Sequence, residues 1–401
     1  MTGGIFQLVV YGIEDLILTH KPDITFFKCI YKRYTNFSME SIKQNFNELP
    51  DFGKRVSCII SKSGDLMHQI FVELTLPRVL QDSTNTYAYA WTKNIGFTII
   101  KNVEIEIGGQ VIDKHYNDWM FIWNELTMDW SLKDGFNLMN GNISKNTDFS
   151  QHISSETDIA IESFTCYIPL YFWFCRNPNL ALPLVSLKYQ EVKINIEFNS
   201  LENCLLKCDI NFSNSLTKYN EQISGVSIMA TLPKLKANIY VDYIFLDHSE
   251  KQMFKEKTHE YYIEQVQYNE DIEFLGDYIS EPLSFNHPVK ELIWVLKYSE
   301  HENIKDHFNY TTTVTKYSIT GNNSNTETPT FTISISNKKN PVKDAKLILN
   351  GIDRFSTQDG KYFNLVQPLQ YHTKIPSIGI NVYSFSLYPE DIQPSGSCNF
   401  S

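Results

Sequence analysis

Apolar and polar residues alternate along most of the chain, the period-two pattern of a strand with one buried face. Ile70, Val72, Leu74 and Leu76 point one way and Phe71, Glu73 and Thr75 the other. Val103, Ile105 and Ile107 alternate with Glu104 and Glu106, then run into Gly108-Gly109, a hairpin turn signal. The same alternation recurs in Val192, Ile194, Ile196 and Phe198, in Ile239, Val241, Tyr243 and Phe245, and in Phe331, Ile333 and Ile335. Such a face leaves water only against another sheet, so the pattern predicts a β-sandwich.

One helix breaks the alternation. Trp119, Ile122, Trp123 and Leu126 recur at helical spacing, with Asn117 or Asp118 available as N-cap. A shorter helix is expected after Ser249. Residues 199–225 are rich in Asn and Ser and read as the junction between two domains. Residues 318–329 are polar and turn-forming and read as an exposed loop. A weak internal echo links Val103–Asp113 with Ala345–Asp353, each reading as strand, tight turn and Asp. It is compatible with duplication and with two unrelated hairpins.

Composition narrows the class. The chain has 401 residues, enough for two or three domains, and 14% aromatic residues, which suits β-rich folds. Its formal charge is −11, without the global basic excess that phosphate neutralisation requires, so direct packaging of nucleic acid is not expected. Seven cysteines without a repeated spacing argue against a disulfide framework. The start lacks a basic n-region, Glu14-Asp15 interrupts its first apolar stretch, and no run of eighteen apolar residues occurs. Synthesis in a reduced, cytoplasmic compartment is the resulting expectation.

Candidate chemistry is thin. Gly108-Gly109-Gln110 occurs in peptide-chain release factors, but between alternating strands it reads as a turn. Cys204 and Cys208 lack the second pair of a zinc site. His301, Glu302, Asp306 and His307 could offer metal ligands, yet read better as a solvated charged loop. No His-x-His, no Gly-x-Ser-x-Gly and no phosphate-binding loop occurs, and the adjacent Asp247-His248-Ser249 cannot converge as a triad does. Tyr171-Phe172-Trp173-Phe174 could stack sugars, as in lectins, but reads as core or interface packing. Sequons at Asn36, Asn142, Asn211, Asn309, Asn322 and Asn399 are attributed to the abundance of Asn. No catalytic, cofactor or metal residue is assigned, and no enzyme is expected.

Longer motifs carry a resemblance. Gly3–Gly12, Asp23–Lys28, Tyr31–Phe37, Val103–Gln110 and Ile122–Thr127 resemble segments of the major capsid proteins of nucleocytoplasmic large DNA viruses, and Ile168–Pro178 does so most closely. Leu180–Leu184, Val241–Asp247, His259–Tyr261, Phe285–Trp294, Leu349–Phe355 and Gln393–Ser401 follow in the family's order.

The resemblance implies an all-β fold of two tandem eight-stranded antiparallel jelly rolls with a few short helices in loops. It divides the chain into an N-terminal arm (1–24), a first jelly roll (25–210) and a second (211–401). It implies homotrimeric, pseudo-hexagonal capsomers that tile an icosahedral shell, and a virion location. Neighbouring capsomers, minor capsid proteins and the side of an internal membrane are the implied partners, the arm lying toward that membrane. The family continues past Asn-Phe-Ser into Arg-Ile-Asp and a further strand, so a last strand of the second jelly roll has no counterpart before Ser401. Short outer loops imply a low tower. A jelly-roll glycan-binding protein, or a minor capsid or fibre-associated component, is the alternative class.

Overall fold

The computed structural model describes residues 3–9, 12–29, 31–80, 87–149, 159–209, 218–219, 223–226, 234–320, 330–334 and 338–401. Residues 1–37 form one unit and residues 38–401 another. The first carries α1 (Gly3–Val9) and α2 (Ile13–Thr19). Asp15 accepts the Gly12 N–H at 2.8 Å, which holds the start of α2.

Eight strands build the first sandwich: β1 (Phe37–Gln44), β2 (Arg55–Ile59), β3 (Leu66–Leu76), β4 (Ile100–Ile107), β5 (Gln110–Tyr116), β6 (Phe164–Pro169), β7 (Val192–Phe198) and β8 (Lys236–Leu246). They form two four-stranded sheets, in the orders β1-β8-β3-β6 and β2-β7-β4-β5, the interleaving of a jelly roll. The alternation decides which face turns inward. Val72 and Leu74 on β3, Val103 and Ile105 on β4, Ile194 and Ile196 on β7, and Ile239 and Val241 on β8 are all fully buried. Register aligns these sets, with Ile239 opposite Val72 and Ile194 opposite Ile105.

Two features depart from the sequence reading. Strand β8 lies beyond residue 210, the expected end of the first jelly roll, yet it is inserted between β1 and β3. The Asn- and Ser-rich stretch is therefore not a plain linker: Leu205–Asp209 within it pairs with Tyr87–Trp91. Glu104, on the face expected to meet water, is buried because Arg55 and Lys114 close over it, Lys114 at 2.9 Å. Hydrogen bonding to that carboxylate raises the Lys114 pKa against the cost of its partial burial.

The second half opens with α4 (His248–Glu256), whose first N–H is accepted by the Asp247 carboxylate. Among the described residues it forms only ladders of two or three strands, not the eight-stranded sandwich expected. Strand β9 (Glu291–Trp294) pairs with β12 (Asn381–Ser384), and β10 (Ile348–Leu349) with β11 (Ile352–Asp353). The physical difference lies at β9: it has one neighbour where β3 has two, and its side chains stay half-buried. Residues 257–286 form no helix and have no ladder partner among the described residues.

The internal echo has a structural counterpart. In the first half β3 pairs with β6, and between them come the β4–β5 hairpin and α3 (Asn117–Thr127). In the second, β9 pairs with β12, and between them come the β10–β11 hairpin and a helical run ending in α5 (Gln367–Tyr371). Both hairpins turn on two left-handed residues: Gly108 and Gly109 (φ 60° and 85°), and Asn350 and Gly351 (φ 51° and 79°). That pair of positive φ values matches the twist of the flanking strands, which is why Gly and Asn occupy the turn.

Candidate functional site: the seam between the halves

No group of three or more His, Cys, Asp or Glu side chains among the described residues could hold a metal ion. Cys204 and Cys208 are buried, and burial pushes both thiols up, away from the thiolate form a metal needs. The loop with His301 is not solvated as expected. His301 is fully buried against Tyr298, and the His307 Nε2–H donates to the Asn203 carbonyl at 2.9 Å, so the two rings serve separate contacts. Asp247-His248-Ser249 is a helix cap. Gly108-Gly109 is the hairpin turn. Phe172, Trp173 and Phe174 are buried, with Phe172 stacked on His115 at 4.6 Å, so they offer no sugar-stacking surface.

Polar chemistry gathers instead where the second half lies against β5 and α3. The Asp113 carboxylate accepts the Val266 N–H at 3.0 Å and sits 2.8 Å from His115, buried with it. Arg176 donates to Glu264 at 2.7 Å and to the Tyr171 carbonyl at 3.0 Å, with its guanidinium 4.1 Å from the Trp123 ring centre. Burial lowers the Arg176 pKa, an effect opposed by Glu264. Lys290 reaches Glu264 from β9's approach and completes the bridge.

Helix α3 supplies the rest. Its Asp118 accepts the Tyr310 hydroxyl at 2.5 Å and lies 2.8 Å from Lys297. One turn on, Phe121 stacks on Phe308 at 4.5 Å. At its C-terminal end Glu125 accepts the Ser377 hydroxyl at 2.6 Å, and the Leu126 carbonyl accepts the Lys374 N–H at 3.0 Å. A single helix thus clamps three separate segments of the second half. Sequence reading found α3 but missed these roles; the one signal was that Asp118 and Glu125 stand seven residues apart and so share a helix face.

Within the second half, His372 bridges two carboxylates, Glu291 of β9 at 3.0 Å and Glu390 at 2.9 Å. Burial alone would lower its pKa, but the two carboxylates outweigh it and raise the value to about 9. The imidazole is therefore a cation at neutral pH, tying β9, the end of α5 and the loop at Glu390 together.

Such an arrangement can hold the two halves of the chain in a fixed relation. Comparison with known proteins agrees. Residues 25–247 match a family model described as the major capsid protein N-terminus, and residues 250–401 one described as large eukaryotic DNA virus major capsid protein. The chain is 38% identical to the major capsid protein of Phaeocystis pouchetii virus, across all of this chain and 91% of that protein. It is 42% identical to the major capsid protein of Pyramimonas orientalis virus, across all of this chain and 90% of that one. A chain of the PBCV-1 virus capsid quasi-atomic model superposes with a TM-score of 0.70 at 32% identity, covering 94% of this chain and 84% of that chain. With the jelly-roll order of its first sandwich and motifs in sequence from end to end, the chain belongs to the major capsid proteins of large eukaryotic DNA viruses.

Proposed function

We propose that this structural, non-enzymatic protein builds the shell of a large DNA virus as homotrimeric, pseudo-hexagonal capsomers. The observation that carries this reading is the repeated succession in the two halves: a strand pair enclosing a hairpin on two left-handed residues and then a helix. Three chains with two similar halves each place six like units around one three-fold axis, an outline that tiles.

We read the first jelly roll as closing with β8, which ends at Leu246, and the second half as a further jelly roll from about residue 250. Residues 1–24 serve as an arm toward an internal membrane, and neighbouring capsomers and minor capsid proteins are the further partners. The net charge of −11 suits soluble capsomers that repel one another until salt or partners permit assembly, and it disfavours direct contact with the genome. Synthesis and assembly take place in the host cytoplasm.

Sedimentation velocity tests the proposal. The chain has a mass of 46.6 kDa, and the expected species at micromolar concentration and moderate salt is about three times that. A monomer under all such conditions contradicts it. The glycan-binding alternative drew on an aromatic surface at Tyr171–Phe174, and three of those four side chains are buried.

A further inference from the structure

The excursion between Gln267 and Asn286 touches the seam at its base, where the Tyr268 ring lies 4.6 Å from that of Tyr116 on β5. Its neck is closed by two hydrogen bonds between the Gln267 side chain and the Asn286 backbone, at 2.7 and 2.9 Å. Beyond that neck the segment has no helix or ladder among the described residues, and Gly276 takes a positive φ (126°). Its large apolar side chains face solvent: Tyr268, Ile272, Phe274, Leu275, Tyr278, Ile279 and Leu283 are all exposed. So many exposed large apolar side chains within one short segment point to an interaction site.

Charge identifies what covers it. Between Lys257 and Lys290 there are seven carboxylates and no Lys or Arg. Apart from Glu264, none of them forms an ion pair among the described residues. The partner surface must therefore combine cations with apolar side chains.

The same chain presents such a surface. Residues 338–361 hold six Lys or Arg against three Asp, a local excess of positive charge in a chain of net −11. Lys338, Lys339, Lys343, Arg354 and Lys361 are exposed, and none of the five forms an ion pair among the described residues. The Gly360 N–H donates to the Lys343 carbonyl at 2.8 Å, which brings the chain at Lys343 beside the chain at Gly360, next to Lys361. Ile348 and Ile352, on the adjoining β10–β11 hairpin, add exposed apolar area.

We propose that the 267–286 excursion of one copy docks on the 338–361 face of a second copy. Two different patches meeting head to tail make a heterologous contact, the kind that closes into a ring when the rotation fits. Phe274, Leu275 and Tyr278 supply the apolar centre against Ile348 and Ile352, and the carboxylates and lysines set the register. This inference rests on the trimer reading above and names the surfaces that would make it.

Charge reversal tests it on the full chain by sedimentation velocity, with circular dichroism to confirm the fold. One variant carries Glu270→Lys, Glu273→Lys and Asp277→Lys; another carries Lys338→Glu, Lys339→Glu and Lys343→Glu; a third carries all six. Each triple is expected to raise the concentration for half-association by about tenfold or more, and the sixfold variant to return it close to wild type. Either triple associating like wild type overturns the inference while leaving the trimer intact. So does a sixfold variant weaker than both triples. A wild-type chain that never associates overturns the trimer reading itself. Leu275→Ser serves where a triple fails to fold: its fully exposed side chain is dispensable to the monomer, and unchanged association would again overturn the docking.

Discussion

Asp118 shows how much one side chain can be asked to hold. It accepts a hydroxyl from Tyr310, a residue only 1% exposed, and balances Lys297 beside it. Asp118→Ala leaves that hydroxyl buried without its acceptor and is expected to cost about 1–3 kcal/mol in urea unfolding. Adding Tyr310→Phe removes the stranded group, and the double variant is expected to regain part of the loss; a double variant no better than Asp118→Ala would contradict the assignment. Phe172 tests the core in the same way. It is fully buried between the His115 and Phe174 rings, and Phe172→Ala is expected to cost about 3–5 kcal/mol. These contacts were illegible in the sequence for a simple reason. Helical spacing exposes the apolar stripe of α3, but Tyr310 is 192 residues away from Asp118, and nothing local marks a pairing at that distance.

Short-range elements were the legible ones. The β4–β5 and β10–β11 hairpins follow from alternation interrupted by Gly108-Gly109 and Asn350-Gly351, where strand twist requires positive φ. Gly109→Val and Gly351→Val place a β-branched residue in that region and are each expected to cost about 1–2 kcal/mol, whereas Asn350→Gly is expected to be close to neutral in the same thermal melts. Strand β8 was read correctly as a strand and assigned to the wrong sandwich, because its pairing with β3 spans an excursion whose Asn and Ser content mimics a linker. The His372 bridge belongs to this scale too. Its pKa is raised from the ordinary 6.5 to about 9, so its stabilising contribution is complete below pH 6.5 and is lost as pH rises through 9. Urea midpoints for wild type are expected to fall across that window and those of His372→Gln to change less; parallel profiles would contradict the bridge.

Over the whole molecule, the resemblance carried more than the pattern could. Alternation alone gives an antiparallel β-protein; the motif order from Gly3 to Ser401 gives the capsid family and, with it, a reason for so many contacts across the seam. Fixing the two halves against each other through α3 preserves the spacing of like units, which a tile needs. The account therefore stands or falls on how purified chains associate. Electron microscopy of the isolated protein is the most direct measurement. The expected image is a three-fold particle with a six-sided base built from two sandwich units per chain. A population of separate single chains, or a particle with two-fold symmetry, would contradict it.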